Sequence, residues 1–137
     1  MNPLPTTPLI VPKILVIEDD QNSREAMSTY LISRGFEVQN AADGAEAIAI
    51  GNAFSPELII SDWMLDGTYN GVDVVQILYR QDPNFVVIFI TAFPLEQLET
   101  QCRTLPVKGF LAKPISLAKL NKLVDKALQS VIADYGK

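Results

Sequence analysis

The chain has 137 residues, of which 48% are hydrophobic and 20% are charged, and this composition suits one globular domain with its own core. Its formal net charge is −5 and its lysines and arginines are scattered, so direct binding to nucleic acid phosphates is not expected. The chain contains no histidine and a single cysteine, which excludes internal Ser-His-Asp triads, imidazole metal sites, disulfides and thiolate zinc sites.

The N-terminal residues differ in composition from the rest of the chain. Residues 1–12 carry four prolines and almost no charge, which predicts an extended tail ahead of a single domain over 13–137. This tail lacks the basic and apolar regions of a signal peptide. The longest apolar run, FVVIFITAF over 85–93, is too short to cross a membrane. We therefore expect a cytoplasmic protein that makes no membrane contact.

From residue 13 onward, short apolar runs alternate with stretches of helical periodicity. The first run, KILVI, is rich in β-branched residues and suits a strand that is buried on both faces. In the helix that follows, four residues at helical spacing predict the buried face, namely Ala26, Met27, Tyr30 and Leu31. Strands are predicted over 13–17, 36–40, 57–61, 85–90 and 107–112, and helices over 21–34, 44–51, 71–81, 95–105 and from 117 onward.

Small and polar residues at the ends of these runs predict where the helices begin and end. Gly35 and Gly51 are placed to end the first two helices, and Ser116 is placed to begin the last one. Asp43 followed by Glu46 resembles a capping box at the start of the second helix.

Five strand–helix units in strict alternation predict an α/β fold with a parallel sheet, helices on both faces and right-handed crossovers. In such open sheets, ligands bind beyond the carboxyl ends of the strands, where the strand order reverses. With the order 2-1-3-4-5, the ends of strands one, three, four and five lie near that point. The residues that follow these four strands are therefore the candidates for function.

Charged and hydroxyl side chains collect at those four strand ends. They are Glu18, Asp19 and Asp20 after strand one, Asp62 after strand three, Thr91 after strand four and Lys113 after strand five. Adjacent carboxylates repel each other unless a positive partner offsets them, and hard oxygen ligands suit Mg²⁺. With Mg²⁺, this set predicts a phosphoryl-transfer site in which a carboxylate is the nucleophile. Asp20 directly precedes a helix, which favours a role as N-cap over one as metal ligand.

Four motifs, in order and at fitting separations, resemble the receiver domain of two-component response regulators: ILVIEDD, PELIISDWML, ITA and FLAKP. The resemblance covers residues 13 to about 134. It implies a flavodoxin-like (βα)5 fold, doubly wound around a five-stranded parallel sheet of order 2-1-3-4-5. It also implies a phosphoacceptor signalling domain, which promotes only its own phosphorylation and dephosphorylation, rather than an enzyme.

The resemblance assigns roles around the phosphoryl group. Asp62 would be the phosphoacceptor. Thr91 would supply the hydroxyl that moves towards the phosphoryl group when Asp62 is phosphorylated. Lys113 would be the paired cation, ahead of a cis peptide bond to Pro114.

The resemblance also implies a metal site and a switch residue. Mg²⁺ would be bound directly by Asp19, by Asp62 and by the main-chain carbonyl of Met64, and through water by Glu18. Phe110 would be the residue that, with the Thr91 hydroxyl, reports phosphorylation to the surface formed by helix four, strand five and helix five.

Two further positions concern the lifetime of the phosphoryl group. Met64 and Phe93 lie two residues beyond Asp62 and Thr91, where related receivers that lose phosphate rapidly carry polar groups to hold the attacking water. A thioether and a phenyl ring offer essentially no such hydrogen bonds. We therefore predict long-lived phosphorylation, and faster loss in a Met64→Asn, Phe93→Glu double variant.

Because the chain has no histidine, its phosphoryl donor must be another protein, and the resemblance implies a histidine kinase or a histidine phosphotransfer protein. A downstream protein partner is expected at the helix 4–strand 5–helix 5 face, with a phosphorylation-dependent homodimer as an open alternative.

Three other functions are considered. A Mg²⁺-dependent aspartyl-phosphate phosphohydrolase is disfavoured because Met64 stands where such enzymes carry an acidic proton donor. A flavin-binding module is disfavoured by the acidic loop after strand one. A pseudo-receiver that acts only as a binding module is disfavoured by the complete set of site residues.

At several positions the sequence does not determine the local structure or the role of the residue. The loop after Asp62 is one residue longer than is usual in the family, and Asp66, interpreted as a loop residue, stands where the family has proline. The segment TLPVKG replaces the small turn expected before strand five. Cys102 is interpreted as a small buried hydrophobe, with redox sensing as the alternative. Trp63 fits both a core and a surface position.

Overall fold

The computed structural model describes residues 11–65, 67–92 and 95–135. Within these residues, five parallel strands form one sheet in the order β2-β1-β3-β4-β5, which confirms the predicted fold. The strands are β1 Lys13–Ile17, β2 Glu37–Ala41, β3 Leu58–Asp62, β4 Val86–Thr91 and β5 Val107–Ala112. The helices are α1 Gln21–Ser33, α2 Gly44–Phe54, α3 Gly71–Gln81, α4 Leu95–Glu99 and α5 Leu117–Tyr135.

The core consists of two apolar clusters, one on each face of the sheet. Alternate residues of β1 divide between them, because successive side chains of a strand point to opposite faces. Leu15 and Ile17 join the cluster that α2 and α3 cover. Ile14 and Val16 join the cluster that α1 and α5 cover. All four are fully buried, as expected for a parallel sheet with helices on both faces.

Polar side chains begin the helices largely as predicted. Asp20 is the N-cap of α1, and its side chain accepts a hydrogen bond from the amide of Ser23 at 2.8 Å. Asp43 caps α2 in the same way by accepting from the amide of Glu46. Gly35 follows α1 with a φ of 97°, a left-handed conformation that glycine adopts without strain.

The predicted end of α2 is wrong. The helix continues through Gly51 to Phe54, and Ser55 forms its left-handed C-cap with a φ of 52°. Gly51 faces α3, where a Cβ atom would lie 2.8 Å from a methyl group of Leu78. The glycine therefore permits close helix packing instead of ending the helix.

The predicted buried face of α1 is partly wrong. Met27 and Leu31 are buried as expected, and they are joined by Ser28, whose hydroxyl accepts from the side-chain amide of Asn40 at 3.1 Å. Ala26 is exposed. A partner for the Ser28 hydroxyl on β2 allows a polar side chain to occupy the buried face.

The fourth helix is much shorter than the predicted span of 95–105. It comprises five residues, Leu95–Glu99, followed by a 3-10 turn, Thr100–Cys102. The amide of Leu105 then donates to the carbonyl of Cys102 at 3.0 Å. Pro106 cannot continue a helix and disfavours helical geometry in Leu105, so helical structure could not extend past this point, but nothing in the structure explains why the α-helix already ends at Glu99.

The strand ends differ from the predictions by small shifts, because β2, β3 and β4 each begin one residue later than expected. Phe36, for example, uses its amide to end α1, donating to the carbonyl of Leu31 at 3.3 Å. The proline-rich tail predicted over 1–12 falls almost wholly outside the described residues. No helix in the described part of the chain is long and apolar enough to cross a membrane.

Candidate functional site

Three neighbouring strands deliver the polar residues of the site to one edge of the sheet. Glu18 directly follows β1, while Asp62 and Thr91 are the last residues of β3 and β4. Their exposed fractions are 0%, 5% and 1%. The apolar strands that carry these side chains are themselves buried, so the polar groups at their ends are buried with them. Such burial is costly for carboxylates unless partners compensate it.

Three carboxylates and one lysine converge at this edge. Oxygen atoms of Glu18, Asp19 and Asp62 lie within 4.8 Å of one another. The Lys113 ammonium donates to Oδ2 of Asp62 at 2.5 Å and lies 3.5 Å from Oε1 of Glu18. Lys113 reaches the cluster from the segment after β5, whose main chain is fixed by its own amide donating to the carbonyl of Thr91 at 2.9 Å. The structure thus brings together four of the five side chains that the sequence placed at these strand ends for function, and the fifth, Thr91, lines the cavity beside them.

Among the carboxylates of the cluster, Glu18 has a strongly shifted pKa. Burial, together with the neighbouring Asp62 and the charge of Asp19, raises the pKa of Glu18 from 4.5 to about 7, against the opposing effect of Lys113. Partial burial on its own would lower the pKa of Lys113, but the hydrogen bond and charge of Asp62, with those of Glu18, raise it instead. Lys113 therefore stays protonated at neutral pH, and the cluster carries more negative charge than it can balance.

The residues of the cluster fit a divalent cation. The Oε2 atom of Glu18 is buried and finds no hydrogen-bond donor among the described residues. As a carboxylate, Glu18 can only accept, so it cannot bond to Asp62 unless it is protonated. Mg²⁺ prefers hard oxygen ligands and is commonly held by one or two carboxylates. A cation at this place would supply the partner that the buried oxygen lacks.

The chain after Asp62 is held close to the site. The amide of Met64 donates to Oδ1 of Asp62 at 3.2 Å, and the amide of Gly71 donates to the carbonyl of Trp63 at 3.0 Å. A Cβ atom at Gly71 would lie 2.2 Å from the carbonyl oxygen of Asp62, so glycine is required there. Gly71, at the end of the longer loop, therefore lies against Asp62 and Trp63, where the loop begins. Asp66, which belongs to this loop, lies outside the described residues.

The cluster opens into a shallow cavity of about 270 Å³. Its walls combine the polar site with apolar side chains, being formed by Asp19, Asp62, Met64, Leu65, Thr91, Ala92 and Lys113. Met64 is 52% exposed, whereas Met27 in α1 is buried. The cavity is large enough for a phosphoryl group and reaches solvent. Phe93, the other residue predicted to affect phosphate loss, lies outside the described residues.

An aromatic stack connects this edge of the sheet to β5. Trp63 is buried, which decides its position in favour of the core, and meets Phe89 edge-on with ring centroids 5.1 Å apart. Phe89 in turn stacks on Phe110, at 6.2 Å and an interplanar angle of 26°. Phe110 is half-buried and packs against the apolar cluster that α2 and α3 cover.

The structure also decides the predictions made for Asp20, Cys102 and the peptide bond to Pro114. Asp20 is exposed and serves as N-cap, and the hydrogen bonds from Ser23 lower its pKa. Cys102 is buried in the core, and that burial raises the pKa of its thiol to about 11, which disfavours redox sensing. The peptide bond from Lys113 to Pro114 is cis, as predicted.

Sequence reasoning missed two residues near the site. Phe89 lies in a uniformly apolar strand, where no pattern distinguishes it from its neighbours. Arg24 lies one turn into α1 and bonds back to the carbonyl of Glu18 at 2.9 Å. The position of Arg24, four residues after the N-cap Asp20, was the available signal, because a long side chain there can reach the preceding loop.

Comparisons with known proteins agree with this geometry. Residues 14–125 match the family described as response regulator receiver domain. The chain is 32% identical over 117 residues to a cyclic di-GMP phosphodiesterase of Thermotoga maritima, covering 85% of this chain and 31% of that protein. It is 30% identical over 123 residues to the transcriptional activator protein PfeR of Pseudomonas aeruginosa, covering 90% of this chain and 40% of that protein. The chain thus spans between about a third and two fifths of the length of these relatives.

Solved structures show the same similarity. The receiver domain of the Francisella response regulator 1452 superimposes with a TM-score of 0.78 at 27% identity, covering 88% of this chain and 98% of that one. The chemotaxis protein CheY4 of Vibrio cholerae superimposes with a TM-score of 0.80 at 26% identity, covering 87% of this chain and all of that one.

Proposed function

The chain belongs to the response regulator receiver domain family, and we propose that it accepts a phosphoryl group from a phosphohistidine donor onto Asp62 and thereby switches the binding of a protein partner. The observation that carries this proposal is the convergence of Glu18, Asp19, Asp62 and Lys113 in one cluster of charged side chains. The donor is proposed to be a histidine kinase or a histidine phosphotransfer protein, because the chain itself has no histidine.

The chemistry follows from the contacts of Asp62. A carboxylate oxygen of Asp62 attacks phosphorus, and the bond from phosphorus to the donor imidazole breaks with its electron pair leaving on nitrogen. The amide of Met64 donates to Oδ1 of Asp62, and the ammonium of Lys113 donates to Oδ2. These two hydrogen bonds fix the orientation of the carboxylate group. We propose that Lys113 and the Thr91 hydroxyl, which line the same cavity as Asp62, then contact the phosphoryl oxygens.

The metal site is proposed to consist of Asp19, Asp62 and the main-chain carbonyl of Met64, with Glu18 acting through water. When bound there, Mg²⁺ would neutralise charge on the phosphoryl oxygens and orient them for in-line transfer. The buried and unpartnered Oε2 atom of Glu18 supports the proposal, because it is an acceptor without a donor.

Intact-mass measurement after incubation with Mg²⁺ and a small acyl phosphate tests the reaction. We expect one added phosphoryl group, dependent on the metal. Asp62→Asn should abolish the addition because an amide is not a nucleophile. Asp20→Asn is a matched control, since it makes the same change of charge at an exposed N-cap where asparagine is equally suitable. Labelling that survives Asp62→Asn unchanged would refute the assignment.

The switch is proposed to run through Thr91 and Phe110 to the face formed by α4, β5 and α5. This face includes the shortest helix, α4, which ends in a 3-10 turn and can reorganise at low cost. We expect amide hydrogen exchange to change more over residues 91–113 than over residues 21–52 on phosphorylation. An even response along the whole chain would contradict this route.

A further inference from the structure

Arg24, in the first turn of α1, reaches back to the main chain of the acidic segment. Its Nη1 atom donates to the carbonyl oxygen of Glu18 at 2.9 Å and lies 3.4 Å from the carbonyl oxygen of Asp19. The residue is half-buried, so these bonds are partly shielded from water. Arg24 therefore contacts two proposed metal-site residues through their peptide groups, while carboxylate oxygens of both residues lie within 4.8 Å of Asp62.

The carbonyl of Glu18 belongs to the peptide group that joins Glu18 and Asp19, so the Arg24 bond restrains that group. The amide of Glu18 is held on the other side by the carbonyl of Ala41 at 3.1 Å, at the end of β2. Because Glu18 and Asp19 are consecutive, rotation of the peptide plane between them moves both side chains. Their oxygens must stay within 4.8 Å of Asp62 for the cluster to hold one cation. The Arg24 side chain donates to the carbonyl of this peptide group and so restrains its rotation.

The charge and the geometry of Arg24 act on a cation in opposite directions. A guanidinium remains charged at every accessible pH, and like charges repel, so the charge by itself weakens cation binding. Correct placement of Glu18 and Asp19 strengthens cation binding. Substitutions that remove the charge and those that keep it therefore distinguish the two effects.

We propose that Arg24 is a positioning residue of the cation site, which aligns the carboxylates of Glu18 and Asp19 by holding their carbonyl groups. This inference rests on the proposed function, because it assumes that the site binds Mg²⁺. Residues outside the ligand set that orient ligands commonly change metal affinity by about tenfold or more.

The test compares Arg24→Lys and Arg24→Gln with wild-type protein by calorimetric titration with Mg²⁺ alone. Lysine keeps the charge but loses the planar geometry that lets one side chain bridge two carbonyls. We expect both variants to bind Mg²⁺ about tenfold more weakly. Arg34→Gln is the matched control, because Arg34 follows the other end of α1 and pairs with Asp125 at 3.2 Å. Its affinity for Mg²⁺ should equal that of the wild type.

A second measurement separates positioning from general stability. The rate of labelling by a small acyl phosphate should fall in both Arg24 variants at low Mg²⁺ and return to the wild-type rate at saturating Mg²⁺. Tighter Mg²⁺ binding by Arg24→Gln would show that the charge alone matters. A lower melting temperature with unchanged Mg²⁺ affinity would show a merely structural role. Either result overturns this inference alone, whereas a wild-type protein that binds no Mg²⁺ overturns the proposed function as well.

Discussion

The two ends of the sheet differ in what they bury. At the carboxyl end, Glu18 and Asp62 are buried beside Lys113. At the amino end, Gly51 of α2 packs against Leu78 of α3, near Phe85. The contact between Gly51 and Leu78 is close, and Leu78 belongs to an apolar core cluster, so this packing favours the folded state directly. At the carboxyl end, a buried carboxylate oxygen lacks a donor and like charges adjoin. The packing at the amino end therefore stabilises the fold, while the uncompensated acidic cluster at the carboxyl end lowers its stability.

The largest expected effect lies at the amino end. Leu78→Ala should lower the free energy of unfolding by about 3 kcal/mol, because it removes a buried side chain between α2 and α3. Mg²⁺ affinity should stay unchanged, since the site lies at the opposite end of the sheet. Urea unfolding and Mg²⁺ titration of the same preparation check both points. A loss of stability below about 1 kcal/mol would show that this interface carries less of the fold than its packing indicates.

The next effect is the pH dependence caused by Glu18 in the absence of Mg²⁺. The pKa of Glu18 is about 7 in the folded protein and near 4.5 when unfolded, so the folded state binds more protons between these values. The contribution of Glu18 to the free energy of unfolding is then fully present below about pH 4.5. It is lost as the pH rises through about 7. We expect a loss of about 3 kcal/mol from this group, because the two pKa values differ by about 2.5 units.

Glu18→Gln provides the control for this pH dependence, because glutamine has nearly the same shape and does not titrate. The variant should show a flatter melting temperature between pH 5 and 8, and it should be more stable than the wild type at pH 8 without metal. Added Mg²⁺ should reduce the dependence in the wild type. A wild-type melting temperature that rises over this range would contradict the origin assigned to the Glu18 pKa.

A smaller effect is expected for Asp19→Asn. Removing one negative charge from the cluster should stabilise the metal-free protein by about 1 kcal/mol, while Mg²⁺ binding weakens. Asp43→Asn makes the same change of charge at the exposed N-cap of α2 and should alter neither property. If Asp19→Asn melts lower and binds Mg²⁺ as well as the wild type, Asp19 has a structural role.

The carboxyl end was the more predictable of the two regions. Uniformly apolar strands in strict alternation with helices determine a parallel sheet, and this brings the strand ends to one edge. The positions of Glu18, Asp62 and Lys113 therefore followed from where the apolar runs stop. Each side chain acts next to its own strand, so a local pattern sufficed.

Features that depend on contacts between distant segments were not predictable. Gly51 suggested a helix end, but its role depends on Leu78, which lies 27 residues further along the chain. The stack of Trp63, Phe89 and Phe110 depends on how three strands lie side by side. Helical periodicity over 95–105 was correct for Leu98 and Cys102, which are buried, but periodicity does not report where hydrogen bonding stops.

The smallest expected effect concerns the loss of phosphate from Asp62. Water must approach phosphorus opposite the Asp62 oxygen, and Met64 lines the cavity through which it arrives. The thioether offers the water essentially no hydrogen bond, whereas asparagine offers both a donor and an acceptor. Met64→Asn should therefore lose phosphate about threefold to tenfold faster at fixed Mg²⁺, as followed by intact mass after removal of the acyl phosphate. Ile32→Asn is the control, because Ile32 is similarly exposed, at 56% against 52%, but lies on α1 away from the cavity. Equal decay of wild-type protein and Met64→Asn would show that access of water is governed by another part of the cavity wall.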